Sequence, residues 1–210
     1  MRFVQRFFGQ ILAGLAVLLT LTVILGVGYP AAVWAVSRLG SDSAEGSPLT
    51  DSAGCVVGSS LIGVDPRVED GMPDPFFHTR VTGSVADEDA FAPGDPAAAI
   101  PSNQGPSSET LADFVEQRRV QVAERENVDP DQVPADAVTG SGSGIDPHIS
   151  PAYAAIQIAR VAEVNGLSQD TVRSLVDEYT SGRQLGFLGN ERVDVPELNV
   201  ALGLTAPGCS

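Results

Sequence analysis

Asp146, His148 and Ser150 put a carboxylate, an imidazole and a hydroxyl within one short stretch, the side-chain types of a nucleophilic hydrolase. Their spacing argues against that chemistry. Catalytic triads converge in space from separate segments, whereas Pro147 here stands between the first two groups. Ser150 also precedes Pro151, which makes it a helix N-cap, so no catalytic residue is expected. Just upstream, Gly140-Ser141-Gly142-Ser143-Gly144 offers successive backbone amides that would cradle a phosphate. Pro147 occupies the place of the last glycine in a GxGxxG pattern, so a close-packing structural loop is the weightier reading. Two histidines and two cysteines are too few for a structural zinc site, and no metal ligands are expected. The chain has no lysine. That excludes a Walker A loop and a Schiff-base enzyme outright.

These residues need elements to hold them. Ser107 or Ser108 should cap a helix ending near Asn127, with Leu111, Phe114, Val115 and Val122 on one side and Arg118, Arg119 and Arg125 crowding the later turns. The prolines of residues 128–138 predict an extended or turn segment. Ser150-Pro151 opens a second helix with Ala155, Ile156, Ala159 and Ala162 facing the core and Gly166 as its C-terminal cap. A third starts at Ser168, turning Val172, Leu175, Val176 and Tyr179 inward. Residues 186–189 read as a tight turn, 192–195 as a short strand, and Pro196 begins a last helix through Leu202. Residues 55–62 suit a strand before the Gly63 turn, and residues 76–80 a second strand or ordered loop with Phe76 and Phe77 in the core. Residues 81–106 should be irregular. Whether Cys55 and Cys209 pair is not set by their spacing.

From Phe7 to Ser37 the chain carries no charge, long enough to cross a bilayer, which takes about 20 apolar residues. A cleaved signal peptide would have a shorter apolar core, and Ala35-Val36-Ser37 lies beyond Trp34, a residue suited to an interfacial anchor. Arg2 and Arg6 precede the run and only Arg38 follows it, which favours a cytoplasmic N-terminus. The expected organisation is a cytoplasmic segment at 1–8, a transmembrane helix at 9–37, a linker at 38–54 and an exported domain at 55–210. Beyond Arg38 nine arginines oppose all 27 acidic residues, a formal charge of −18. Such a surface repels nucleic acid and anionic lipid and draws cations. The fold class expected is a mixed α+β exported domain on a single N-terminal transmembrane helix.

Four ordered blocks then carry a resemblance: Gly58–Gly63 (GSSLIG), Ser102–Ser108 (SNQGPSS), Ser141–Leu167 (SGSGIDPHISPAYAAIQIARVAEVNGL) and Leu185–Leu202 (LGFLGNERVDVPELNVAL). Together they resemble the KdpC family, the C subunits of Kdp-type potassium-transporting P-type ATPases. The resemblance implies a non-hydrolytic accessory subunit in the cell membrane, whose complex transports potassium. Its implied partners are a channel-like potassium-binding subunit, the P-type ATPase subunit, a small membrane peptide and the lipid bilayer. Family members have been described as catalytic chaperones that raise the pump subunit's affinity for ATP, so ATP would be met through the complex. The chain departs from the family where a Ser-Gly-Gly stretch usually precedes the second block; here Ala98-Ala99-Ile100-Pro101 does. Exposed glycine-rich loops held by a scaffold commonly carry contacts, and the partner or nucleotide contacts expected are Asn103, Gly105, Ser141, Gly142, Ser143, Gly144, Asp146, His148, Gln157 and Arg160. A single-pass envelope receptor or adhesion module is the alternative.

Overall fold

The computed structural model of the chain describes residues 2–66, 68, 71–81 and 101–205. It divides into two units, Met1–Gly46 and Ser47–Ser210.

The first unit is helical because its long apolar run has no internal charge to disturb it. Helix α1 (Arg2–Val23) passes into a single π turn at Ile24–Gly28 and then α2 (Tyr29–Ser37). The π turn has a local cause. Pro30 lacks an N–H and its ring crowds the preceding turn, and the helix accommodates it by widening: the Tyr29 amide donates to Ile24 O, five residues back. The expected single apolar helix is thus continuous but not uniform. Its side chains are exposed almost throughout, and it is long and apolar enough to cross a membrane. At the far end the Arg38 guanidinium lies 5.6 Å from the Trp34 ring centroid and pairs with Glu45 at 2.6 Å.

The polar stretch at 38–54, expected as linker, is structured. Arg38–Gly40 is a 3-10 turn and Ser41–Ala44 a single helical turn, α3. Strand β1 (Pro48–Thr50) then pairs antiparallel with β2 (Val56–Ser59). The second unit therefore begins at Ser47, ahead of residue 55. The composition that reads as linker is turn chemistry: the Asp51 carboxylate accepts from the amides of Ala53 and Cys55, both at 2.9 Å, and closes the hairpin. Cys55 is not a free thiol; Cys209 lies outside the described residues, as does most of the irregular stretch expected at 81–106.

Helix α4 (Glu109–Glu126) is capped by the Ser108 hydroxyl, which accepts from the Leu111 amide, and ends at Asn127 in the left-handed region (φ +52°). Phe114 and Val122 are buried as expected, but so are Arg118 and Glu126. Residues 128–138 form a 3-10 turn at Pro130–Gln132 and a single helical turn, α5 (Ala135–Val138). Strand β3 (His148–Ile149) leads to α6 (Pro151–Asn165), capped by Ser150 through the Tyr153 amide and ended by Gly166 at φ +63°. Helix α7 (Gln169–Glu178), strand β4 (Thr180–Ser181), strand β5 (Arg192–Asp194) and helix α8 (Val195–Ala201) complete the unit. The strands β3-β5-β4 form an antiparallel sheet with β5 central, pairing Ile149 and Thr180 to Val193.

The core gathers Phe77, Val122, Tyr153, Ile158, Val161, Val172, Val193, Val195 and Leu198. Each fully buried side chain of this size contributes ~1.5–3 kcal/mol. Helix α7 turns Val172 and Val176 fully inward, with Leu175 and Tyr179 packed against the core, as its spacing predicts. Helix α6 departs from expectation. Tyr153, Ala154, Gln157, Ile158, Val161 and Ala162 are buried, while Ala155 and Ala159 are exposed. The reason is size and polarity: an alanine stripe has little area to bury, whereas Tyr153, Ile158 and Val161 have much, and Gln157 follows them because it finds partners inside.

One close approach joins the hairpin to the loop before α6. The Gly63 amide donates to Ile145 O at 2.8 Å, and a Cβ on Gly63 would overlap the Asp146 carbonyl. Glycine is required there by contact, not by its φ.

Candidate functional site

Residues 74–79 carry Phe77, His78 and Thr79 into the interior without joining a sheet. Buried backbone groups need partners, and here side chains supply them. Arg160 Nη1 donates to the carbonyls of Asp74 (2.8 Å) and Phe76 (2.9 Å), and Asn165 Nδ2 to that of Pro75 (2.8 Å). The Asn199 amide group receives the Phe77 N–H and donates to the Phe77 carbonyl, both at 2.8 Å. Gln157 does the same for His78, accepting at 2.7 Å and donating at 3.3 Å. Asp65 accepts from the Thr79 amide at 2.9 Å. Gln157, Arg160 and Asn165 reach this strap from one face of α6, which helical spacing allows; Asn199 comes from α8.

The strap is also an electrostatic centre. His78 is buried with Asp65 at 3.0 Å from Nδ1 and Asp74 at 2.5 Å from Nε2. Arg160 spans Asp74 (3.5 Å) and the fully buried Glu126 (2.9 Å), and Arg125 holds Glu126 at 2.6 Å while donating to the Tyr153 hydroxyl at 2.9 Å. Burial alone would lift Asp74, but hydrogen bonding to His78, its charge and that of Arg160 outweigh it and hold the carboxyl at about 2. Asp65 is likewise lowered against burial by His78. Burial would depress His78, yet Asp65 and Asp74 raise it above its ordinary value despite opposition from Arg125. Burial lifts the Tyr153 hydroxyl to about 12.

These shifts fix a pH response. Lowered carboxyls stabilise the fold above their unfolded pKa, and this is lost as pH falls through about 2 for Asp74. The raised His78 stabilises it below about 6.5, and this is lost as pH rises through the folded value. The full chain in detergent should therefore have a higher melting temperature near about pH 5 than near about pH 8 or about pH 2.5. A midpoint that rises steadily into the alkaline range would contradict the charged His78 centre.

Past the strap, Arg80 enters a second, open locale. Its guanidinium donates to Gly140 O at 2.8 Å and lies 3.5 Å from Asp146. In the glycine-serine loop, Ser141 Oγ accepts from the Gly144 amide (2.8 Å) and Ser143 Oγ from the Ile145 amide (3.2 Å); Gly144 holds φ +75°. Asp146 Oδ1 accepts from the His148 amide at 3.0 Å. Asp136 takes the Ser150 amide (2.7 Å) and hydroxyl (2.9 Å) at the start of α6. Every one of these amides is therefore already spent on a side chain of the chain itself. Asp136, Asp146 and Glu191 line this region together with Arg80 and Arg192, and the amides at 144, 145, 148 and 150 are not open to a phosphate. The Ser150 hydroxyl, committed to Asp136, offers His148 no proton. His148 stands 3.3 Å from Asp146 and 3.7 Å from Asp194, whose carboxyl burial, with Glu197 adding, pushes up to about 6.

The ten residues singled out from the sequence thus fall in three places. Asp146, His148 and the loop Ser141–Gly144 share the open locale. Asn103 (φ +52°) and Gly105, whose carbonyl accepts from the Ser108 amide, form the exposed turn before α4. Gln157 and Arg160 belong to the buried strap clamp: Gln157 has no exposed surface and cannot touch a partner, a correction that follows from its two bonds to His78. Sequence reasoning missed His78, Asp65, Asp74 and Asn199. The signal was present in a connector dense with Asp and Pro that led to the histidine.

Comparison with known proteins adds an independent line. The family model described as KdpC: K+-transporting ATPase, c chain, matches residues 11–203. The chain is 44% identical to the potassium-transporting ATPase KdpC subunit of Kineococcus radiotolerans over 198 residues, covering 94% of this chain and 95% of the relative. It is 41% identical to that of Streptomyces avermitilis, covering 90% and 91%, and 43% identical to that of Methylococcus capsulatus, covering 90% and 94%.

Proposed function

The chain belongs to the KdpC family, and from that premise we propose that it is the accessory, non-hydrolytic subunit of a potassium-transporting ATPase complex. The family match over residues 11–203 carries the reading, and nothing in the comparisons supports the receptor or adhesion alternative. We place the single apolar helix in the cell membrane with its N-terminus cytoplasmic and residues 47–210 outside. Charge supports this orientation. Arg2 and Arg6 precede the apolar run, while Arg38 beyond it is paired with Glu45. Hydrolysis belongs to the P-type ATPase subunit, whose phosphorylated aspartate lies in an Asp-Lys-Thr-Gly loop that a lysine-free chain cannot carry.

Two modes of action follow from opposite orientations. An external domain clamps the channel-like subunit and concentrates cations near it through its formal charge of −16, nine arginines against 25 acidic residues over 47–210. A cytoplasmic domain would assist ATP binding by the pump subunit. The spent amides around residues 144–150 favour the first. In it, the exposed turn at Asn103–Gly105 and the Asp146–His148 locale serve as partner contacts.

The test is co-purification of the C-terminally tagged chain from membranes of its potassium-starved host, with protease added outside intact cells. Recovery of a channel-like and a P-type ATPase subunit, with potassium-stimulated ATPase activity and a tag cleaved from outside, is the expected outcome. A chain that purifies alone would defeat the subunit reading, and a protected tag would defeat the external clamp.

A further inference from the structure

Between β4 and β5 the chain runs through Gln184-Leu185-Gly186-Phe187-Leu188-Gly189. The apolar side chains here point outward: Leu185 is 82% exposed, Phe187 69% and Leu188 48%. This is not a frayed loop. Gln184 and Leu188 exchange N–H···O bonds at 2.9 Å in each direction, the Phe187 amide donates to Gln184 O at 3.2 Å, and the Gly186 amide to Arg183 O at 3.1 Å. Gly186 (φ +81°) and Gly189 (φ +74°) turn the backbone, and Leu185 itself sits at φ +52°, a region bulky residues rarely occupy. A strained, hydrogen-bonded backbone thus holds three large apolar side chains in water.

Charge narrows what covers them. In a domain of net −16, no acidic residue occurs between Glu178 and Glu191, and the exposed Arg183 makes no ion pair with the described residues. Phenylalanine and arginine are among the residues enriched at protein interfaces, and a rigid display loses little entropy on docking. A fluid lipid surface gains nothing from a preset shape, and an anionic one would repel the domain. A second copy of the chain would bring a like charge of −15. We propose that the Leu185–Leu188 tip is a docking plug. It inserts into a preformed apolar pocket on another protein subunit of the complex, rimmed by carboxylates or carbonyls that receive Arg183. The plug rests on the subunit reading above and names the element that makes the contact.

The experiment places the photo-reactive residue p-benzoylphenylalanine at position 187 in the full chain, within native membranes of cells making the whole complex. Position 173, exposed on α7, is the control. Irradiation should join position 187, and not 173, to another protein subunit. Phe187→Ala should lower recovery of that subunit about tenfold or more while the purified chain keeps its melting temperature. Adducts only to lipid, only to a second copy, or none, with the complex still co-purifying, would overturn the plug and leave the subunit reading intact. Failure of the unmodified chain to bring down any ATPase subunit would overturn both.

Discussion

Arg160→Met is expected to destabilise residues 47–210 by ~3–5 kcal/mol, the usual cost of removing one partner from a buried ion pair. The arginine touches Glu126, Asp74 and Gln157 through its side-chain contacts and the carbonyls of Asp74 and Phe76 through backbone contacts. Methionine fills much of the space and supplies none of the donors. Glu126 keeps Arg125, but its second oxygen loses its partner. Arg160→Lys should rescue little, because a single ammonium cannot replace the planar fork that spans these acceptors. Chemical denaturation of the full chain in detergent reads the effect. A shift of the midpoint no larger than that of a surface substitution such as Arg173→Met would contradict the clamp.

Asn199→Ala should be the second most damaging change. It orphans the Phe77 N–H and carbonyl at a place where the ring itself is fully buried. Each unpaired buried group costs ~1–3 kcal/mol, so a loss of about 2–6 kcal/mol is expected from a chain whose whole stability is marginal. Hydrogen exchange at the Phe77 and His78 amides should accelerate more than exchange in α7, which Asn199 does not clamp. Equal acceleration everywhere would mean only global destabilisation and would remove the special role of Asn199.

Local chemistry was legible in the sequence; long-range chemistry was not. Ser108, Ser150 and Ser168 cap their helices as read, because a cap depends on residues within one turn. Strand β5 and helix α8 were also readable, from a β-branched alternation followed by a proline. The strap was not. Its partners lie far off in sequence, Gln157 79 residues and Asn199 122 residues away, and polar residues on amphipathic helices read as solvent-facing. The same holds for Gly63. It looks like a turn glycine, while the true demand on it comes from the Asp146 carbonyl. The open locale around Asp146 and His148 was found from residue types alone. That the amides at 144, 145, 148 and 150 are already bonded appeared only when each could be followed to its acceptor.

The bond between Phe77 and Asn199 also sets a timetable. A chain made from its N-terminus leaves the Phe77 backbone groups without their partner until α8 is available, after α6 has already supplied the partners of residues 74–76 and 78. Contacts of such sequence separation form late and slowly, because a long loop must close before they reward it. The Phe77 end of the strap therefore stays unlocked until α8 has been made and can reach it. A chain cut short before Asn199 never closes that latch. Truncated copies are left open to proteases before they can take a place in an assembly.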